Sequence, residues 1–120
     1  MAGITTQGLY VAAAAMGGSI AYPTYIAAGI SGLAFASGNT ALGSEFDRNL
    51  INTYDYSTPE QVTMISDWSP VEISGCILRE IGVMNSGTGG AMSSRNVLTG
   101  SLVFDGEQEL QVQQTYKFFI

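Results

Sequence analysis

The residues of this chain that could do chemistry are few, and the most unusual are two adjacent opposite charges. Arg79 and Glu80 lie inside the apolar segment Ser74-Gly-Cys-Ile-Leu-Arg-Glu-Ile-Gly-Val-Met84. Successive side chains of a β-strand point to opposite faces, so each face of this segment holds one charge among mostly apolar residues. This pattern predicts that both charges are buried. Because an unpaired buried charge is costly, each is expected to have a partner elsewhere in the chain.

A second pair of charges lies earlier in the chain, in a segment that alternates like a strand. Glu45 precedes Arg48 by three residues, and the whole chain has only four basic residues. Few ion-pair partners are therefore possible for these charged residues. We predict two structural ion pairs that tie two strands together, Arg48 with Glu80 and Arg79 with Glu45.

The residue types that catalysis needs are scarce. Histidine is absent and Cys76 is the single cysteine. Ser-His-Asp and Cys-His catalysis within one chain are therefore excluded, as are an internal disulfide and a metal site with several cysteine ligands. The acidic residues over 105–109 are too sparse for a calcium loop, and nothing places two carboxylates in one cleft for glycoside hydrolysis. We expect no catalytic residue, no metal and no cofactor, and a hydrolase is the weakest alternative.

The composition is typical of a protein that assembles with other subunits. The chain has 120 residues, the size of one domain over 1–120, and only 12% are charged, about half the usual share. Obligate interfaces deplete charge, although a surface of uncharged polar residues would also explain this. The net charge of −6 argues against nucleic-acid and anionic-membrane partners. No apolar run is long enough for a transmembrane helix, and no basic n-region of a signal peptide is present.

The hydrophobic pattern predicts one helix followed by about six strands. The helix spans 5–16, with Thr5 as its N-cap and an alanine-rich body. Glycine, proline and serine turns divide the rest, 20–120, including a loop over 31–44 and a hairpin turn over 85–90. The predicted strands span 22–30, 45–56, 61–68, 74–84, 91–99 and 109–119. The expected fold is mainly β, an antiparallel β-sandwich or small barrel with the short N-terminal helix against it.

Three segments resemble the N-terminal, virion-attaching domain of tailed-phage tail-fibre proteins. They are Ile4-Thr-Thr-Gln-Gly-Leu9, Thr40-Ala-Leu-Gly-Ser-Glu-Phe-Asp-Arg48 and Gly75-Cys-Ile-Leu-Arg-Glu-Ile-Gly-Val-Met84. That family shows Thr-x-x-Gly at the start of a helix, then Thr-Ala-Leu-x-x-Glu-x-x-Arg, then a Gly-x-x-Ile-Arg-Glu-Ile/Val-Gly-Leu-Phe strand. The Arg-Glu-Ile-Gly block is the most specific part. Met84 replaces the usual aromatic residue, the 91–103 segment is less similar, and the family's domains normally continue into a long fibre.

The resemblance implies a role in assembly, with no catalytic or cofactor residues. We expect a stand-alone virion structural protein of a tailed virus, a trimer or ring that serves as adaptor or fibre attachment in the tail, baseplate or neck. Its partners would be copies of itself and other virion proteins. Residues 1–44 carry no charged side chain. They are expected to supply much of the subunit interface, through Tyr10, Tyr22, Tyr25, Leu33 and Phe35.

Two alternatives stay open at this point. The first is a capsid decoration protein, which would bind the shell of the particle instead of its tail. The second is a host-glycan-binding module in which Trp68 and Tyr56 stack against sugar rings. A buried Trp68 would count against the second alternative, because a stacking platform must be exposed.

Overall fold

The chain folds into two antiparallel sheets, seen in a computed structural model that describes residues 2–8, 18, 22–57 and 61–117. Strands β1, β7, β6, β2 and β3 form one sheet in that order, and β4, β5 and β8 form the other. The strands are β1 (Ala2–Ile4), β2 (Tyr25–Gly29), β3 (Glu45–Leu50), β4 (Thr53–Asp55), β5 (Gln61–Trp68), β6 (Ile77–Met84), β7 (Met92–Val103) and β8 (Leu110–Lys117). Of the two predicted forms, the described strands adopt the sandwich, and neither sheet closes into a barrel.

Most predicted strands correspond to observed ones, and β5 has the predicted bounds. The hairpin turn is also confirmed, since β6 and β7 pair antiparallel on either side of it. The predicted strand over 45–56 is wrong in one respect, because it is two strands in different sheets. The backbone N–H of Ile51 donates to Thr24, whereas that of Asn52 donates to Ile65 in the second sheet. The chain therefore changes sheets at this corner.

The start of the predicted N-terminal helix is observed, with residues 6–8 helical. Thr5 is its N-cap as predicted, because the Gly8 N–H donates to the Thr5 Oγ1 at 2.9 Å. The rest of the predicted helix, over 9–16, lies outside the described residues. A short helix after β5 was not expected. It spans Pro70–Ile73 and is labelled α1, the one helix for which both ends are described. Its sequence signal is the Ser69-Pro-Val-Glu72 capping box, in which the Ser69 N–H donates to Glu72 Oε1 at 2.9 Å.

The core lies between the two sheets. Trp68 is 1% exposed, and its indole N–H donates to Asp47 Oδ2 at 2.9 Å. Other buried residues of this core are Ile26, Ala28, Ile51, Met64, Ile73, Leu78, Ile81, Val83, Phe104 and Val112. β6 and β2 are central in the five-stranded sheet, and each contributes residues to this inner face.

The outer face of the five-stranded sheet is covered as well. A smaller buried cluster there joins Ala27, Leu42, Met84 and Met92, and Tyr25 packs against it. Leu42 belongs to the segment 30–44, which contains no helix or strand and lies over this face. β6 is therefore buried on both faces over most of its length, as its apolar pattern predicts.

Candidate functional site

Glu80 is the most buried charged residue of the described chain, and it lies on the outer face of the five-stranded sheet. It is 0% exposed and Arg95 is 2% exposed. Arg95 Nε donates to Glu80 Oε1 at 3.0 Å. Three backbone N–H groups also donate to the carboxylate: Gly43 to Oε1 at 2.8 Å, Ser44 to Oε2 at 2.8 Å and Ser31 to Oε2 at 3.0 Å. These five residues are the Glu80 site, and its four donors satisfy a buried anion.

The surroundings of Glu80 keep its carboxyl group ionised. Burial raises its pKa, because removal of water disfavours the charged form. The N–H groups of Ser44, Gly43 and Ser31 and the guanidinium of Arg95 oppose this effect, and the net result is a lowered pKa. A carboxylate that is ionised at neutral pH and holds four donors has no proton to give there. The arrangement therefore suits a structural anion better than a general acid.

Glycine makes room for this site. Gly29 is opposite Glu80 in the β2–β6 register. A Cβ atom on Gly29 would lie 2.5 Å from Glu80 Oε2 and 2.6 Å from the backbone oxygen of Ser44. A larger residue would thus displace either the carboxylate or the chain that donates to it. The glycine-rich composition of residues 29–44 is the feature of the sequence that indicates this close packing.

Arg48 makes a second set of contacts, between β3 and the hairpin turn. Its Nε and Nη2 donate to the two carboxylate oxygens of Glu45 at 2.6 and 2.7 Å. Its Nη1 donates to the backbone oxygens of Ser86 at 2.8 Å and Gly89 at 3.0 Å. The hydrogen bond with Glu45 is the main cause that raises the pKa of Arg48. This pair is partly exposed, so its main effect is to position the turn, since exposed ion pairs add little stability.

Both predicted ion pairs are wrong in their partners. Arg48 pairs with Glu45, and Glu80 pairs with Arg95. Arg79, predicted to be buried and paired, is exposed and has no ion pair within the part of the chain that the structure describes.

Strand order explains these partners. Arg48 is opposite Ala27 on β2, so a whole strand separates it from β6. Arg95 lies on β7, adjacent to β6, and is opposite Gly82. It therefore shares a face with Glu80, two residues away along β6. Counting residues outward from the predicted hairpin turn would have placed Arg95 there, and this is the signal that sequence reasoning missed.

Thr5 and Gly8 attach the start of the helix to β7. Thr5 is fully buried; its Oγ1 donates to the Met92 oxygen at 2.7 Å and its N–H donates to the Ser93 oxygen at 3.1 Å. A Cβ atom on Gly8 would lie 1.9 Å from the Ser93 oxygen. Only glycine allows this approach, which gives the Thr-x-x-Gly pattern a physical reason.

Other residues of the resembling segments also have roles in the fold. A Cβ atom on Gly82 would lie 2.9 Å from Leu42 Cδ2, so Gly82 provides the space that Leu42 occupies. Gly75 has a φ of +76° in the turn before β6, a conformation that favours glycine. The residues of the three segments with a described role in the fold include Thr5, Gly8, Leu42, Glu45, Arg48, Gly75, Glu80, Ile81 and Gly82.

The predicted interface residues differ in their exposure. Tyr22 is 61% exposed and Leu33 is 74% exposed, so both present apolar surface to solvent. Tyr25 and Phe35 are half-buried. The Phe35 ring lies close to Gly3, and Tyr25 packs on the outer cluster. Tyr10 lies outside the described residues. Their role in a subunit interface stays a prediction.

Trp68 and Tyr56, the residues predicted to stack against sugar rings, cannot both contact a sugar. Tyr56 is 69% exposed, but Trp68 is buried in the core and its N–H is held by Asp47. A ring with 1% exposure cannot offer a face to a sugar without unfolding the core. This observation counts against the glycan-binding alternative.

Comparison with known proteins gives no family for this chain: no protein-family model matches it, and no curated protein matches it significantly. In the described ranges, no helix has the length and apolar character that crossing a bilayer requires. The likeness to tail-fibre domains therefore depends on the three segments alone.

We expect the Glu80–Arg95 pair to be the most sensitive polar contact of the fold. Glu80→Ala leaves Arg95 buried without a counter-charge, which should lower the free energy of unfolding by about 3–5 kcal/mol. Arg95→Ala should cost a similar amount, and the double variant should lose clearly less than the sum of the two. Urea unfolding measures all three. Glu107→Ala is the control, because Glu107 is exposed and forms no ion pair with any residue that the structure describes. A Glu80→Ala variant as stable as Glu107→Ala would contradict this account.

The lowered pKa of Glu80 makes stability depend on pH in a defined direction. The unfolded chain, with a glutamate pKa of about 4.3, binds this proton at higher pH than the folded chain does. The contribution of Glu80 is therefore complete above about pH 4.3 and is lost as the pH falls through the folded value. Urea unfolding across the acidic range should show a shallower decline for Glu80→Gln than for the wild type. Asp55 and Glu72, whose pKa values are also lowered, are common to both proteins. Parallel curves would contradict the prediction.

Proposed function

We propose that the chain is a structural protein of a tailed-virus particle. It would act as a homo-oligomeric adaptor, ring or fibre-attachment component of the tail, baseplate or neck. The observation that supports this most is the arrangement of the resembling segments. The second and third of them are far apart in the chain, yet the N–H groups of Gly43 and Ser44 donate to the Glu80 carboxylate, and Leu42 lies in one buried cluster with Met84. The resemblance therefore includes residues that fold together.

The chemistry of these residues also favours assembly over catalysis. Glu80, Arg95 and Arg48 use their charged groups to hold backbone segments, and each is engaged within the chain. Such contacts make a rigid frame. A frame of this kind suits a protein whose surface must fit a neighbouring subunit.

The surface supports self-association. Large apolar side chains are exposed in a chain with few charges, which is what a buried subunit interface requires. They include Ile4, Tyr22, Ile30, Leu33, Leu50, Tyr56, Val71, Leu102 and Val103. Two of the predicted interface residues, Tyr22 and Leu33, are among them.

The proposal has two direct tests. Light scattering on the purified chain at micromolar concentration should give the mass of a trimer or larger ring. Leu33→Ser should reduce the assembled fraction with little effect on thermal unfolding, because Leu33 is 74% exposed. Val71→Ser is the matched control, since Val71 is a more exposed apolar residue outside residues 1–44.

The particle itself provides the second test. Mass spectrometry of purified virions should detect the chain, and negative-stain images of particles with a tagged copy should place the label at the tail. A label on the shell would identify a decoration protein instead. Absence from the virion, or a monomer at every concentration, would contradict the proposal.

A further inference from the structure

The Arg-Glu-Ile-Gly block contains two charged residues, and Arg79 is the one whose charge makes no described contact within the fold. Of the four basic residues, Arg48 and Arg95 have carboxylate partners in the chain. Arg79 is exposed, and within the described ranges no hydrogen bond or ion pair engages its guanidinium. Glu80, Ile81 and Gly82 of the same block are all buried. The cation beside them is therefore available to a partner.

A mostly apolar groove surrounds this cation. It has a volume of about 210 Å³ and opens at the start of β6. Its lining residues are Ile30, Phe46, Gly75, Cys76, Ile77 and Arg79, and together they are the Arg79 groove. Ile30 is 43% exposed, so an apolar side chain already faces solvent there.

Exposed apolar residues continue the surface beyond the Arg79 groove. Val103, which is 66% exposed, is the register partner of Ile77. On the other side, Arg79 Cδ lies 3.9 Å from where a Cβ of Gly32 would be, next to the exposed Leu33. The groove thus borders the surface for which a subunit interface is proposed.

We infer that the Arg79 groove binds a second copy of this chain through a carboxylate and an adjoining apolar side chain. The inference builds on the proposed homo-oligomer. A guanidinium offers paired donors that match a carboxylate, and an apolar surround strengthens such a contact once water is excluded.

Charge complementarity identifies the occupant. The chain has ten acidic residues and a net charge of −6, and only Glu45 and Glu80 are in ion pairs among the described residues. Each copy therefore presents exposed carboxylates that have no basic partner among the described residues, such as those of Glu107 and Glu109, to a groove that holds an unpaired cation. A contact between a groove on one copy and a different surface on the next is heterologous, and such contacts form a ring when the rotation between copies closes.

A charge reversal tests this contact. Arg79→Glu should weaken self-association, measured by analytical ultracentrifugation, by about tenfold or more, as expected when a charged hydrogen bond is lost from an interface. Thermal unfolding of this variant should match that of the wild type, because Arg79 has no hydrogen-bond or ion-pair partner among the described residues of its own chain. Lys117→Glu makes the same charge change on an exposed residue of β8 and should leave assembly nearly unchanged. Ile30→Ser should weaken assembly without a change in charge.

Cross-linking tests the identity of the occupant. In Arg79→Lys, a carbodiimide should join the introduced amine to a carboxylate in contact with it, with loss of water. Mixing ¹⁴N- and ¹⁵N-labelled copies before cross-linking should then give peptides of mixed label that contain position 79 and an acidic residue.

The outcomes separate this inference from the proposed function. An Arg79→Glu variant that assembles as well as Lys117→Glu would overturn the Arg79 contact while the oligomer stands. Cross-links at position 79 found only within single-label peptides would do the same. A wild-type chain that is monomeric at all concentrations would overturn both the contact and the homo-oligomer.

Discussion

The structure depends on one buried anion. The Glu80 carboxylate lies where water cannot reach it, so the protein must supply both a counter-charge and hydrogen-bond donors. Arg95 supplies the first, and the N–H groups of Ser31, Gly43 and Ser44 supply most of the second. These three N–H groups lie at the two ends of the segment 30–44, which contains no helix or strand. The carboxylate thus takes the place of regular secondary structure in fixing that segment.

Several other contacts depend on the position of this segment. Leu42 can fill the space above Gly82 only if the chain around Gly43 is held in place. β3 begins immediately after Ser44, and its first residues include the Glu45–Arg48 pair that holds the hairpin turn. The outer face of the sheet is therefore organised from Glu80 outward. Arg79, the neighbouring charge on β6, has no part in this network and is exposed.

The sequence was sufficient for the features that depend on local pattern. The bounds of β5, the hairpin after β6 and the cap at Thr5 follow from alternation, turn residues and capping preferences, each of which acts over a few residues. The burial of Glu80 followed from the apolar residues around it.

Features that depend on strand order could not be read in this way. Arg48 and Glu80 are separated by β2, and nothing near either residue in sequence shows that a strand lies between them. The corner at Ile51, where one alternating segment divides between two sheets, likewise follows from long-range pairing. Arg79 shows the limit of alternation itself. Most residues of its strand are apolar, but the β6–β7 register is interrupted between Leu78 and Glu80, and the side chain is exposed there.

Amide hydrogen exchange tests the central role of Glu80 most directly. The N–H groups of Ser31, Gly43 and Ser44 should exchange much more slowly than that of Gly38, an exposed residue of the same segment. In Glu80→Ala under native conditions, the three should lose this protection while the amides of β5 and β8 keep theirs. Exchange at all three positions as fast as at Gly38 in the wild-type chain would show that the Glu80 carboxylate does not hold this segment.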